Sequence, residues 1–200
     1  LEGPLARVHF IIGRDKGKTP TPPQEELERA VADLIRTWPD SLRDAMRARF
    51  DPVTARHLAE RYALAFHGGY KEVYNSESAL SDVVKVEALS EERNTAVTFF
   101  RNHGEKDTRL SLKVYHQGAP IPLSARVPLL ENMGFKVINE RTYRITPTGR
   151  TLSYLHEMTL EASRGGEIDL TADLKERLER LFMAVWQNRA ENDGYNGLVL

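Results

Sequence analysis

The stretch Leu123–Leu160, LSARVPLLENMGFKVINERTYRITPTGRTLSYLHEMTL, constrains the fold more tightly than any other part of the chain. Ser124 is placed to cap a helix that holds Pro128 in its first turn and turns Val127, Leu130 and Met133 inward, and Gly134 supplies its stop. Two strands follow, Phe135–Thr146 and Arg150–Leu160, joined at Pro147-Thr148-Gly149. Asn139 and Arg141 break the apolar parity of the first, which predicts a bulge. In the second, Leu152, Tyr154, His156, Met158 and Leu160 share one side. A helix, a glycine stop and a hairpin in this order are half of an α/β sandwich.

The preceding segments supply the other half. Thr95–Arg101 and Arg109–His116 read as strands around a polar loop, Asn102-His-Gly-Glu-Lys-Asp107. Leu110, Leu112 and Val114 alternate with Arg109, Ser111, Lys113 and Tyr115, so one sheet face is expected dry and the other wet. After Arg164-Gly165-Gly166, Thr171 caps a helix whose Leu174, Leu178, Leu181, Phe182 and Val185 form a stripe opposite Lys175, Glu176, Arg177, Glu179 and Arg180. The order ββαββα predicts an α+β fold: an antiparallel sheet with both of its helices on one face.

Ahead of the sheet lies a helical block. Ala6, Val8, Phe10 and Ile12 alternate as a strand, and Gly13–Pro23 reads as a linker because its prolines and glycines maintain no hydrogen-bond ladder. From Gln24, Leu27, Val31, Leu34, Trp38, Leu42, Ala45 and Met46 recur at helical spacing through Pro39, which predicts one kinked helix or two nearly collinear ones. Asp51-Pro52 opens the next helix, with Leu58, Tyr62, Ala65 and Phe66 as its stripe and His67-Gly68-Gly69 as its end. A further helix is expected over Glu77–Leu89, with Leu80, Val83, Val84 and Glu87 on one face. The expected modules are therefore 1–23, a strand and linker from a preceding module; 24–90, a helical motif; 91–190, the sandwich; and 191–200, where Gly197–Leu200 reads as the start of a following helical segment. With no initial methionine and no signal pattern, the sequence is expected to be a piece of a longer chain.

Totals exclude several function classes. With 28 basic and 29 acidic residues the net charge is −1, so no bulk field attracts a phosphate backbone, and nucleic acid is not an expected partner. Zero cysteines rule out thiolate chemistry and disulfides, in keeping with a cytoplasmic setting. No apolar run reaches the roughly 18 residues of a membrane span.

Residues with catalytic potential are present but not arranged. Gly13–Thr19, GRDKGKT, is one residue short of a phosphate-binding loop, and Pro20, Pro22 and Pro23 stand where a helix would have to begin. Histidines 9, 57, 67, 103, 116 and 156 have no ligand spacing; His156-Glu157 starts like a zinc motif, but Leu160 replaces the second histidine, so His156 is expected as a hydrogen-bonded histidine on the buried sheet face. Glu91-Glu92, and Asp44 with Arg47, read as solvated charges. The Arg101–Arg109 loop, with His103 and Lys106, could meet an anion or be a solvated hairpin tip. Trp38 and Trp186 lie on or beside apolar stripes and read as packing residues. No residue is assigned as catalytic, cofactor-binding or metal-ligating.

Four strings carry a resemblance: Val8-His-Phe-Ile-Ile-Gly-Arg14, Gly69-Tyr-Lys-Glu72, Leu129-Leu-Glu-Asn-Met-Gly-Phe-Lys-Val-Ile-Asn-Glu140, and Val185-Trp186 with Ala190-Glu-Asn-Asp-Gly-Tyr-Asn-Gly-Leu-Val-Leu200. In this order they resemble the large bacterial NAD-specific glutamate dehydrogenases. The resemblance implies a fragment of the N-terminal half of such a chain, built of ACT-like and helical modules, in a cytoplasmic homo-oligomer whose catalytic domain lies elsewhere. It implies NAD and the oxidative deamination of glutamate to 2-oxoglutarate for the parent chain, and no cofactor for this piece. The expected function is a non-catalytic regulatory and assembly segment that contacts other modules and subunits through edge strands and the wet sheet face. The alternative is an amino-acid-sensing ACT-type module. Domains of that type commonly hold amino acids where a strand runs through a glycine loop into a helix, and no such junction is read between residues 95 and 134.

Overall fold

A computed structural model describes Gly17 and residues 22–200. The expected strand over residues 5–12 and most of the linker lie outside the described residues. The chain divides into two compact units, Leu1–Arg36 and Thr37–Leu200. The first contains helix α1 (Gln24–Ile35).

The second begins with α2 (Trp38–Arg49), opened by a reciprocal cap in which Thr37 Oγ1 accepts from Asp40 N at 3.4 Å and Asp40 Oδ2 accepts from Thr37 N at 3.3 Å. Pro39 falls in the first turn, where it removes no helical bond. The periodicity through Pro39 is thus two helices. Asp51 Oδ1 accepts from Val53 N and Thr54 N, both at 3.1 Å, and opens α3 (Pro52–Tyr62). His67 does not end a helix: its ring accepts from Gly69 N at 3.3 Å and opens the short α4 (Gly68–Val73). Asn75 caps α5 (Ser76–Glu87), whose buried residues are Ala79, Asp82, Val83 and Val86, while Val84 points out. The inward stripe is therefore one step off the expected one, with a carboxylate in it.

Four antiparallel strands follow: β1 (Thr95–Phe100), β2 (Arg109–Gln117), β3 (Phe135–Ile145) and β4 (Ser153–Ala162), in the sheet order β1-β2-β4-β3. The register shifts between Val137 and Asn139, which is the expected bulge. Helices α6 (Leu123–Asn132) and α7 (Ala172–Trp186) cover one face, and a 3-10 turn (Gly194–Val199) packs beside α6. Moving β1 to the end of the chain order turns ββαββα into βαββαβ without changing any neighbour in the sheet, which makes this α+β unit the expected ACT-like, ferredoxin-like sandwich in shifted order. Ser124 makes no cap; α6 starts after Pro122, Pro128 sits inside it, and Arg126 takes the buried place expected for Val127.

The sheet separates two cores. On the α6–α7 side Leu110, Leu112, Val114, Met158 and Leu160 meet Leu130, Met133, Leu178 and Phe182. On the other side Tyr115, Tyr143, Ile145 and Leu155 meet Leu42, Met46, Tyr62, Tyr70, Ala79 and Val83. The wet face is therefore not wet: Ser111, Lys113 and Tyr115 are all at most 5% exposed. The helical block covers it, because α5 brings an acidic partner for the lysine.

Candidate functional site

That partner is Asp82, fully buried on α5. Lys113 Nζ donates to its two oxygens at 2.8 and 3.0 Å, Tyr115 Oη to Oδ1 at 2.6 Å, and Tyr70 Oη to Oδ2 at 2.5 Å. The carboxylate is thus saturated with donors, which is the condition for burying a charge pair without a large penalty. Burial and then the Asp82 charge hold the Tyr70 phenol well above its ordinary pKa, and the same causes act on Tyr115. Both remain donors at any ordinary pH, so the cluster is a fixed joint between helix and sheet.

A second polar cluster lies on the opposite face, where β2 runs through Gly118 (φ +96°) and Ile121 into α6. This is a strand-glycine-helix junction, and it corrects the expectation that residues 95–134 contain none; Pro120 and Pro122 read as a simple chain break in the sequence. Its polar groups are already engaged. His156 Nε2 accepts from Ile121 N at 3.1 Å, and Arg126 Nη2 donates to Ile121 O at 2.8 Å and to Glu140 Oε1 at 2.7 Å. His156 Nδ1 is 2.9 Å from Thr142 Oγ1 and 3.2 Å from Glu140 Oε1. Because Nε2 must accept, the ring is neutral with its proton on Nδ1. Burial first, and then the Arg126 charge, push its pKa down to about 4. The hydrogen bonds of Arg126, with those of Thr142 and His156, lower that of Glu140 against the effect of burial. His156 is thus the hydrogen-bonded buried histidine expected from strand parity.

The third feature is a cavity of about 410 Å³ on the helical-block side. Asn139, Arg141, Glu157 and Thr159 of the sheet form its floor, Val73, Tyr74 and Ser78 one wall, and Asn102 another. Tyr74 spans the first and third features: Lys113 Nζ lies 4.0 Å from its ring centre, and its buried hydroxyl engages the Glu157 carboxylate.

The remaining candidates are dispersed. Arg101 donates to Asp107 O at 3.0 Å and to Ile168 O, and Arg109 donates to Glu161 at 2.8 Å, so the loop's arginines are tied internally while His103 stays exposed. Trp38 Nε1 donates to Tyr74 O at 2.9 Å and Trp186 Nε1 to Thr95 Oγ1 at 3.2 Å, both within packed surroundings. His57 pairs with Arg61, His116 with Thr95, Asp44 with Arg47, and Glu92 with Ser90. His9 and the Gly13–Thr19 loop, apart from Gly17, are outside the described residues. Among the described residues no group of three or more metal-ligating side chains occurs. Sequence reasoning missed Asp82, Arg126, Glu140, Arg141 and Glu157. Asp82 and Arg126 were detectable as charges at inward helical spacing, i to i+4 from Val86 and Leu130.

An NAD pyrophosphate needs free backbone N–H groups where a glycine turn enters a helix. The β2–α6 junction does not fit: Pro120 and Pro122 have no N–H, and that of Ile121 is held by His156. No step through NAD is assigned to these residues.

Fold and site together define a class: a permuted ACT-like sandwich locked onto a helical motif. Residues 94–172 match the glutamate dehydrogenase ACT3 domain, 45–89 glutamate dehydrogenase helical motif 2, and 1–39 the glutamate dehydrogenase ACT2 domain. The whole chain aligns with proteins named NAD-specific glutamate dehydrogenase, at 32% identity in Halomonas elongata, 28% in Pseudomonas aeruginosa and 24% in Mycobacterium tuberculosis. It spans about 12% of the length of the first two and 13% of the third. The chain belongs to the glutamate dehydrogenase family, in its ACT and helical-motif portion.

Proposed function

We propose that this chain is a non-catalytic regulatory and assembly segment from the N-terminal half of an NAD-dependent glutamate dehydrogenase. The parent reaction, oxidative deamination of L-glutamate to 2-oxoglutarate with NAD, belongs to another part of that protein. The observation that carries the reading is the consumption of polar groups in joints. Asp82 ties α5 to β2, and Arg126 with His156 ties α6 to β3 and β4. Side chains fixed this way hold modules in register; they are not free to exchange protons with a substrate.

In this reading residues 1–23 continue a preceding module, 191–200 lead to a following one, and the partners are other modules and other subunits of a cytoplasmic homo-oligomer. Two measurements test it. The isolated chain incubated with glutamate and NAD gives no turnover; measurable NADH formation overturns the reading. In the parent enzyme, Asp82→Ala lowers the assembled fraction in sedimentation while the remaining oligomer keeps its KM for glutamate. A second reading, an amino-acid-sensing module, is favoured by the polar cavity between helical motif and sheet.

A further inference from the structure

We propose that the free edge of β3, between Ile138 and Arg144, takes up an extended acidic polypeptide segment as a fifth, antiparallel strand, with one carboxylate opposite Arg141 and a second opposite Arg144. The proposal rests on the assembly part of the reading above and gives it a surface and a partner chemistry.

The two edges of the sheet are finished differently. β1 is closed: Glu179 of α7 accepts from Phe99 N and Thr98 Oγ1, both at 3.1 Å, and Trp186 of the same helix donates to Thr95 Oγ1. A carboxylate on an edge N–H takes the donor that an incoming strand needs. β3 is started and then left open. Phe66 forms an antiparallel bridge with Ile145, and Thr146 N donates outward to Ala65 O at 2.9 Å. The chain then turns away into α4 at Gly68. By the alternation of an antiparallel ladder, the N–H and C=O groups of Glu140, Thr142 and Arg144 point the same way as those of Thr146. Among the described residues, no backbone partner meets them on that side. Ile138, Asn139, Arg141, Thr142 and Arg144 are all exposed, so the edge can be approached, and the bulge after Val137 ends the pairable stretch.

Charge selects what approaches. Lys136, Arg141 and Arg144 are exposed on this strand and, among the described residues, make no ion pair, while the one acid of β3, Glu140, is held by Arg126 at 2.7 Å. Inward of Lys136, Glu161 is held by Arg109; inward of Arg141, Glu157 is engaged by the Tyr74 hydroxyl. The Tyr143 hydroxyl beside Arg141 carries no charge to offset it. The outermost strand is therefore cationic at every charge without an ionic partner. Arg141 shares a face with Glu157 and Arg144 shares the other with Tyr154, so the two cations stand three residues apart on opposite faces. A partner strand meets both when it carries carboxylates at that same spacing. A second copy of β3 would instead bring Arg141 and Arg144 beside their own images, which opposes self-pairing.

The test is titration of the 200-residue chain with three peptides, acetyl-TVEVTEVT-amide, its lysine counterpart acetyl-TVKVTKVT-amide, and acetyl-TVEVPEVT-amide, in which proline removes the N–H opposite Thr142. The acidic peptide binds saturably, with amide shifts confined to residues 138–146 and new exchange protection at Thr142 and Arg144. The lysine and proline peptides bind at least about tenfold more weakly. Arg141→Gln and Arg144→Gln each weaken the acidic peptide about fivefold, the worth of one exposed ion pair, with the thermal midpoint unchanged. The double variant Arg141→Glu/Arg144→Glu prefers the lysine peptide. Absence of saturable binding by the acidic peptide overturns the proposal, as do equal binding of the proline peptide and shifts along β1 instead of β3. Concentration-dependent dimerisation of the chain through residues 138–146 overturns the assignment of the partner. None of these results touches the assembly reading, whose failure would appear in sedimentation of the parent enzyme.

Discussion

Replacing Asp82 by alanine removes the one acceptor on which Lys113, Tyr70 and Tyr115 converge. Lys113 is 5% exposed and cannot reach water without opening the seam. Deleting one partner of a buried ion pair costs about 3–5 kcal/mol, because the survivor must stay charged without compensation or give up its proton. Two buried hydroxyls lose their acceptor as well, at about 1 kcal/mol each, though these costs overlap. The expected loss is about 4 kcal/mol, a large share of the roughly 5–15 kcal/mol that holds a domain of this size. Adding Lys113→Met removes the stranded charge, so Asp82→Ala/Lys113→Met regains about 2 kcal/mol over the single variant. Urea unfolding followed by Trp38 fluorescence is the assay, since Trp38 packs against Phe66 and Tyr70 in the same core. A single-variant loss below about 1 kcal/mol, or a double variant no more stable than the single, would refute the claim that this buried pair fixes helix to sheet.

Three further outcomes follow from the opposite face and its rim. His156 is held neutral with a pKa near 4, below its ordinary value of 6.5, so the unfolded chain binds the extra proton and stability falls as pH drops from about 6.5 to about 4, by about 3 kcal/mol in all; urea midpoints across this range check it, and His156→Gln flattens the slope. Glu140, whose pKa is lowered, adds its own loss as the pH falls below its ordinary value, in the same direction. Arg126→Met removes a charge that depresses His156, so the histidine titrates at higher pH by NMR; an unchanged or lower value contradicts the cluster. Gly134 sits at φ +88° with Leu200 Cδ1 3.0 Å from where a Cβ would stand, and Gly134→Ala costs about 1–2 kcal/mol, read as a lower thermal midpoint.

What was legible in the sequence is what depends on one element at a time. The α7 stripe, the placement of Leu110, Leu112 and Val114 on one face of β2, the bulge near Asn139 and the inward placement of His156 each follow from period and parity, and the structure contains all four. What failed depends on two elements meeting. Lys113 reads as solvent-facing because period-two alternation cannot distinguish a lysine in water from one with a buried carboxylate 31 positions away in the chain. Arg126 sits on an inward helical stripe for the same kind of reason: its partners, Ile121 O and Glu140, come from other segments. The break before Trp38 was one of the two alternatives that Pro39 left open, and the reciprocal cap of Thr37 with Asp40 decides it. The start at His67 was local and readable too, but the Gly-Gly pair reads as a helix end and hides the cap of His67 on Gly69. The cavity charges were the least visible, since Arg141 and Glu157 become neighbours only through the β3–β4 register.

The covered second face has a consequence for where this segment can be cut. Composition and strand count suggest that residues 91–200, with four strands and two helices, are a complete domain. Yet removing residues 37–90 would bare Tyr115, Tyr143, Ile145 and Leu155, which are at most 8% exposed, and leave Lys113 without Asp82. It would also remove backbone partners: Ala65 O for Thr146 N at 2.9 Å, Arg61 O for Thr148 N at 3.0 Å, and Glu87 O and Leu89 O for the Arg150 guanidinium at 2.7 and 2.6 Å. A sheet with one apolar face open and one ladder end unpaired associates through that face. Residues 91–200 expressed alone are therefore expected to aggregate or lose fixed tertiary structure, whereas residues 37–200 unfold in a single transition. Trp38 lies in the core on one side of the sheet and Trp186 on the other, so tryptophan-to-phenylalanine variants report the two sides separately. Coincident midpoints support one cooperative unit; a stable, monomeric 91–200 fragment, or transitions that separate, would show that helical motif and sandwich are independent modules and that the seam between them is an ordinary domain contact.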